Sequence, residues 1–448
     1  MKILFVKPHS SLDRTSTPLH SFFDILSARL FVFQPQITFP VLAALTPHNH
    51  NITMIDEKTH TINFNKKYDI VGISVNTMDA MRAYEIADIF RKKGRTVILG
   101  GCHVSALPDE AKQHADSIVI GEAEETWPRL LKDYENGTLQ PYYQAEKPPS
   151  PGLIPIPNRE ILNRLFLETG VQTSRGCPYR CKYCFIGNSD HGRIYRERPI
   201  DDVVNEMKKI HQKIIVSYDA SLTINPDHTK SLFKALKKSH KNLICLGNIN
   251  VLQNDGDLLK ISKEAGCIQW NIGFESIAQH CINEVGKNTN EVDCYLQTIE
   301  KIHHYGMNVH GFFIFGFDHD DSTTFQNTLD FIKKSKMDSA EFSILTPYPG
   351  TPLYDELQKQ ERLLTKNWSS YNYNTVVFKP KNLTESEIKK GMEFIYRDFY
   401  SYQEIIKRLK NSLQRKITFS KLFIFFVRNI LMRQYILKSL KKQELING

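Results

Sequence analysis

The sequence lacks the features by which a long chain declares an export route or a nucleotide site. Its opening run, Lys2-Ile-Leu-Phe-Val-Lys-Pro8, reads as a strand without the charged start and long apolar core of a secretory signal, so a cytoplasmic protein is expected. No G-x-G-x-x-G opens the first β/α turn, which counts against an ordinary dinucleotide site. Eight unevenly spaced cysteines in a reducing compartment do not make a disulfide framework. Charge of one sign is missing from most of the chain: Ser401 to Gly448 holds 11 Lys and Arg against 2 Glu, and that net +9 equals the value for the whole protein. A basic excess confined to a tail with phenylalanine clusters is not the spread phosphate-binding face of a nucleic-acid partner.

What is present is a soluble globular composition, 41% hydrophobic and 24% charged, over 448 residues, long enough for two or three compact units. In residues 1–140, short apolar runs at Ile3–Val6, Ile52–Ile55, Ile70–Val75, Val97–Leu99 and Ser117–Ile120 alternate with helical periods such as Asp79–Lys93. They predict a doubly wound, Rossmann-like α/β sheet of buried parallel strands. Residues 141–160 are dense in proline and read as a linker. In residues 161–350, six strand candidates (Val171–Ser174, Ile214–Tyr218, Leu243–Gly247, Ile268–Gly273, Val309–Phe315, Ser339–Leu345) alternate with helices, which predicts a partial (β/α)6 barrel of the TIM type. Residues 351–448 form a helical C-terminal extension. Its tail, Phe419 to Leu440, is interrupted by Lys421, Arg428, Arg433 and Lys438, so it is unfit to span a bilayer; it suits either a membrane surface or a cap over the barrel.

Three cysteines, Cys177, Cys181 and Cys184, stand in C-x3-C-x2-C spacing on the loop after the first barrel strand, where barrel enzymes keep their active sites. Three thiolates can hold three irons of one iron-sulfur cube and leave the fourth iron open. Structural zinc normally takes four ligands, and His191, seven residues on, is the nearest further candidate. Cys102, Cys245, Cys267, Cys281 and Cys294 lie singly and read as small buried hydrophobes.

The triad, with Tyr183 before its third cysteine, resembles the radical S-adenosylmethionine (SAM) superfamily. The resemblance implies a [4Fe-4S] cluster on Cys177, Cys181 and Cys184, whose open iron is chelated by SAM and which cleaves it to a 5′-deoxyadenosyl radical. It further implies SAM contacts from Asp219, at the end of the second barrel strand; from Glu275 and Ser276 in a G-x-E-S element; from Lys287; and from Gly316, closing Gly311-Phe-Phe-Ile-Phe-Gly316. Read as residues alone, Asp219 suits a helix cap, Glu275 a buried ion pair and Lys287 an exposed site.

The run Leu345–Tyr354, with Trp368 and Tyr371, and phrases in the first 140 residues resemble the subgroup with an N-terminal cobalamin-binding domain. Asn76, Gly100, Gly101, His103, Gly121 and Glu122 are the cobalamin candidates implied. The histidine motif D-x-H-x-x-G of some cobalamin proteins is absent, and His103 also suits a turn. The resemblance implies a cobalamin-dependent methylase acting on an unactivated carbon of a hydrophobic, lipid or isoprenoid, substrate, with a flavodoxin- or ferredoxin-type electron donor. Cyclisation or ring rearrangement with the same cofactors is the alternative, and a non-enzymatic iron-sulfur or zinc protein a more distant one. The basic tail, Phe22-Phe23 and the run Leu30 to Phe33 suggest peripheral contact with the inner face of the membrane.

Overall fold

A computed structural model describes residues 1–10, 37–162, 168–415, 422–423 and 425–434. Phe22-Phe23 and Leu30 to Phe33 lie outside the described residues. The first sheet is all parallel, in the order β2-β1-β3-β4-β5-β6, from β1 (Lys2–Lys7), β2 (Asn51–Asp56), β3 (Ile70–Ser74), β4 (Thr96–Gly100), β5 (Ser117–Ile120) and β6 (Tyr142–Gln144). Helices 38–45, 80–92 and 126–135 cover it. Ile3, Leu4, Phe5 and Val6 are all fully buried, the continuous run of a strand covered on both faces. The order changes direction between β1 and β3, so the crevice beyond their carboxyl ends is the ligand position of such sheets.

Strand β6 was expected to be linker. It pairs in parallel with β5, Ile118 against Tyr142 and Ile120 against Gln144, and Tyr143 is fully buried. The proline-rich path begins only after it.

The second unit follows with β7 (Glu168–Val171), the hairpin β8 (Ser174–Arg175) and β9 (Arg196–Glu197), then β10 (Ile214–Ser217), β11 (Asn242–Leu246), β12 (Cys267–Glu275), β13 (Asn308–Phe315) and β14 (Ser339–Ile344). Strands β7 and β10 to β14 form one parallel sheet in sequential order, with β7 and β14 at its edges: the expected partial barrel. Burial alternates along β13, where Val309, Gly311, Phe313 and Phe315 are buried under the helices. His310, Phe312 and Ile314 face the interior. The predicted first strand, Val171–Ser174, is divided, because Gln172 and Thr173 leave the sheet and Ser174 enters the hairpin.

A buried ion-pair cluster fixes this division. Glu206, 1% exposed, accepts from Arg198 Nη1 at 2.6 Å and Arg159 Nη2 at 2.5 Å; the same guanidinium nitrogens donate to the carbonyls of Gln172 (2.7 Å) and Gly170 (2.8 Å). Two cations therefore hold the end of β7 through its own backbone.

The C-terminal extension is no separate body. Residues 353–378 pack into the first unit: Trp368 Nε1 donates to Glu110 Oε1 at 2.9 Å, and Trp368 meets His103 edge-on at 5.2 Å. Helix 385–399 packs on β14. In the tail, Phe425 and Leu431 are buried, and Arg428 donates to Glu168 at 2.7 Å, at the start of β7. The described part of the tail thus caps the amino-terminal end of the barrel. No helix among the described residues is long and apolar enough to cross a membrane.

Glu206→Gln removes the charge facing two buried guanidinium groups. It is expected to cost on the order of 3–5 kcal/mol in urea unfolding, or to leave no folded protein; a loss below ~1 kcal/mol would show that the cluster does not hold the strand end.

Candidate functional site

The cysteine loop is rigid in its backbone and free in its thiols. Cys177 N–H donates to Gly192 O at 2.8 Å, Lys182 N–H to Val285 O at 2.9 Å, and the Asn188 amide to the carbonyls of Cys181 and Cys184 at 2.9 and 2.7 Å. Gly176, at φ +84°, opens the loop with its Cα side against the Ile194 carbonyl, a conformation and a contact that no side chain suits. All three thiols are half-buried and unbridged. Burial raises the pKa of Cys177 and pushes Cys181 up to about 11, so thiolates at these positions call for a metal, which deprotonates its thiol ligands. Among the described residues no group of three His, Cys, Asp or Glu side chains is placed to hold one metal ion. Three thiols on one loop, each for a different iron, fit an iron-sulfur cluster by donor chemistry.

The cationic neighbour is Lys287. Burial opposes its charge, yet Glu275, in direct ion pair, and the Cys181 and Cys184 sulfurs hold its pKa above the usual lysine value. Glu275 sits at φ +61°, a left-handed backbone that only a local demand retains in a residue with a Cβ. It breaks the register of β12 against β13 and turns the carboxylate toward Lys287 and Tyr183. The buried Ser276 follows, its Oγ accepting from Ala278 N–H at 3.1 Å. Glu275, Lys287 and the cysteines are therefore brought together.

Asp219 and Gly316 are placed differently. The Asp219 carboxylate is buried and accepts from Thr173 N–H (2.8 Å), Thr173 Oγ1 (3.0 Å), Ser174 N–H, Ser174 Oγ (2.8 Å) and Ser217 Oγ (2.6 Å). With five donors already in place, its work in this structure is to pin the residues that launch the cysteine loop. Gly316 lies under the C-terminal layer near Phe378 and Ile388; its N–H donates to Asp320 at 2.8 Å.

Between the two units lies a cavity of about 910 Å³. Its floor is the carboxyl end of the first sheet, including Asn76, Gly100, Gly101, Gly121 and Glu122; its other wall is the cysteine loop, with Gly176, Phe185 and His191. Glu122 also bridges the units. Burial raises its pKa, but Arg196 and Arg175 outweigh this and hold it below the usual carboxylate value; Arg175 also pairs with Glu124 at 2.6 Å. Five of the six cobalamin candidates line this cavity. The sixth, His103, does not: it is fully buried, hydrogen-bonded to Thr77 Oγ1 (3.2 Å) and Glu110 (3.3 Å), and belongs to the core under Trp368. Cys102, expected to be buried, is exposed on the cavity wall.

Sequence reasoning missed Glu341. On β14 it faces the barrel interior opposite Phe312, open to the hollow of the barrel and without a hydrogen-bond partner among the described residues, and the surrounding walls desolvate the carboxylate and raise its pKa. The alternation of β14, with Ala340, Phe342 and Ile344 buried, was the available signal.

The radical SAM superfamily model matches residues 171–332. The chain is 32% identical to bacteriochlorophyllide d C-8(2)-methyltransferase of Chlorobaculum tepidum over 90% of this chain and 92% of that one. It is 30% identical to the C-12(1)-methyltransferase of the same organism, over 83% of each. The structure of the radical S-adenosylmethionine methyltransferase TsrM from Kitasatospora setae, with cobalamin and [4Fe-4S] cluster bound, superposes at a TM-score of 0.67 with 15% identity, covering 100% of both chains. That likeness establishes a shared fold over both units.

The turn after β13 has a pH signature. Burial raises Asp320 to about 6 against the pull of the Gly316 and Phe317 amides. The folded state therefore keeps a proton that the unfolded chain releases near pH ~4. The stability this contributes is full below about pH 4 and is lost as pH rises to about 6. Asp320→Asn is expected to flatten a fall on the order of 2–3 kcal/mol across that window, read by urea unfolding at a series of pH values; an unchanged profile would assign the titration elsewhere.

Proposed function

This chain belongs to the radical SAM superfamily, and within it we propose a cobalamin-dependent enzyme that methylates an unactivated carbon of a hydrophobic substrate. The observation that carries this reading is the 910 Å³ cavity, placed between a doubly wound sheet's carboxyl edge and the cysteine loop. Its volume is at the upper end for ligand sites and suits a large cofactor.

When bound, the cluster and SAM supply a radical that removes hydrogen from carbon, and cobalamin supplies a methyl group. The chain's own residues do the rest. Cys177, Cys181 and Cys184 would hold the cluster, and Lys287 places a positive charge near all three of their sulfurs. Glu275 orients that lysine and Tyr183. Asn76, Gly100, Gly101, Gly121 and Glu122 would receive cobalamin; the absence of side chains at the three glycines lets a large ring approach the strand ends. Gly316 and Ser276 remain candidates for SAM at the carboxyl ends of β13 and β12, and Asp219 acts through the loop it pins. Phe312 and Ile314 give the barrel interior an apolar wall, and Glu341 one acidic group within it.

The nearby relatives in sequence are named as methyltransferases of bacteriochlorophyllides, which favours methylation over cyclisation, and the apolar wall of Phe312 and Ile314 supports a hydrophobic substrate. A flavodoxin- or ferredoxin-type protein is the proposed electron donor, and the cytoplasm the proposed location. Peripheral membrane contact is supported by Phe423 and Phe426, which are exposed among the described residues of the tail.

Replacing Cys177, Cys181 or Cys184 with alanine is expected to abolish the cluster's visible absorbance and reductive SAM cleavage; retained cleavage would refute the cluster assignment. Once a substrate turns over, product mass should increase by one methylene unit, whereas cyclisation adds no carbon. In liposome flotation the full chain should bind anionic vesicles more strongly than one ending near Tyr400, and equal binding would remove the tail from the membrane reading.

A further inference from the structure

The cavity wall holds a single imidazole among the described residues, His191, and one of its nitrogens has no partner. Nδ1 is buried without a hydrogen bond and lies against Gly121, where even a Cβ would come within 3.2 Å of it. Gly121 is kept in that position by φ +78° and by its N–H, which donates to Ser105 Oγ at 2.9 Å. The imidazole therefore rests directly on the turn after β5, at the floor of the cavity.

A buried N–H without an acceptor is more costly and rarer than a buried lone pair without a donor. An N–H accordingly belongs on Nε2, the nitrogen not enclosed by Gly121. A protonated Nε2 is a hydrogen-bond donor and has no lone pair to offer a metal.

We propose that His191 is the barrel's own contact with cobalamin, donating from Nε2 to a carbonyl oxygen of one of the corrin's amide side chains. This rests on the reading that the cavity holds cobalamin. The corrin periphery carries such amide groups, and among the described residues no acceptor is hydrogen-bonded to Nε2. The position gives the contact a second meaning. The neighbouring residue, Gly192, accepts the Cys177 N–H at 2.8 Å, and Ile194 N–H returns to His191 O at 3.2 Å, so the histidine and the first cluster ligand belong to one hydrogen-bonded loop. A cofactor seated on the first sheet would thus be held by a residue of the cysteine loop, and the contact would sense whether that loop is in place.

The test uses the full chain with its cluster reconstituted, and hydroxocobalamin as the probe. Affinity is measured by equilibrium binding for the wild type, His191→Ala and His191→Gln, with cluster absorbance and melting temperature as checks on folding. His191→Ala is expected to weaken binding by about tenfold, the scale of one hydrogen bond. His191→Gln, which keeps an N–H donor of similar reach, is expected to recover most of that loss. After reduction to the cob(II)alamin state, the electron paramagnetic resonance spectrum should be the same in wild type and His191→Ala, because the ring does not ligate cobalt. Equal affinity in all three proteins would overturn the proposal. So would a nitrogen splitting present in the wild type and lost in the alanine variant, which would make His191 an axial ligand instead. Failure of the wild type to bind hydroxocobalamin would overturn the cobalamin reading itself, a result distinct from equal binding.

Discussion

The placement of the cysteine loop depends on one buried carboxylate. Asp219 stands just beyond β10, yet four of its five hydrogen bonds go to Thr173 and Ser174, the residues that lead from β7 into the loop. A carboxylate stripped of water is costly unless its lone pairs are filled, and here they are filled from backbone and hydroxyl groups on two neighbouring strand ends. The adjoining carbonyls of Gly170 and Gln172 are held from the other side by Arg159 and Arg198, both balanced by Glu206. The loop thus leaves the sheet between two polar clamps, and its own backbone bonds carry that precision to the thiols.

From there the geometry extends in two directions. Toward the barrel axis, Lys287 and Glu275 form the charged rim of an interior walled by Phe312, Ile314 and Glu341. Toward the first sheet, Arg175 at the loop's origin and Arg196 at its return meet Glu122 and Glu124, so the cavity is framed by ion pairs anchored on the same loop. The cysteine loop is therefore the common boundary of two spaces, the cavity on the first sheet and the interior of the barrel.

Both sheets were legible because buried parallel strands appear as short continuous apolar runs, and the triad was legible because its chemistry resides in residue type and spacing. What was not legible depended on partners distant in sequence. Strand β6 is three residues beside prolines, and it becomes a strand only because β5 offers it an edge. His103 follows Gly100-Gly101 as a ligand residue would, but Trp368 and Glu110 close over it from elsewhere. The Asp219 position read correctly as a strand end, while its saturation by Thr173 and Ser174 is a tertiary fact. Cys102 and Glu341 were invisible for the same reason: an isolated thiol and an isolated acid carry no signature of the empty space they face. The tail's packing through Phe425, Leu431 and Arg428 likewise could not be separated from a membrane-lying helix by composition alone.

Trp368 donates to Glu110, a contact across 258 positions of sequence, and residues from Leu353 to Phe378 complete the core on one side of the first sheet. During synthesis the chain emerges amino end first, so the sheet that forms earliest has part of its apolar cover supplied by residues made late. Until then Val104, Tyr84 and their neighbours lack the apolar cover that this segment supplies. That face of the first sheet therefore reaches its final packing only once residue 378 has been made, well after the cysteine loop.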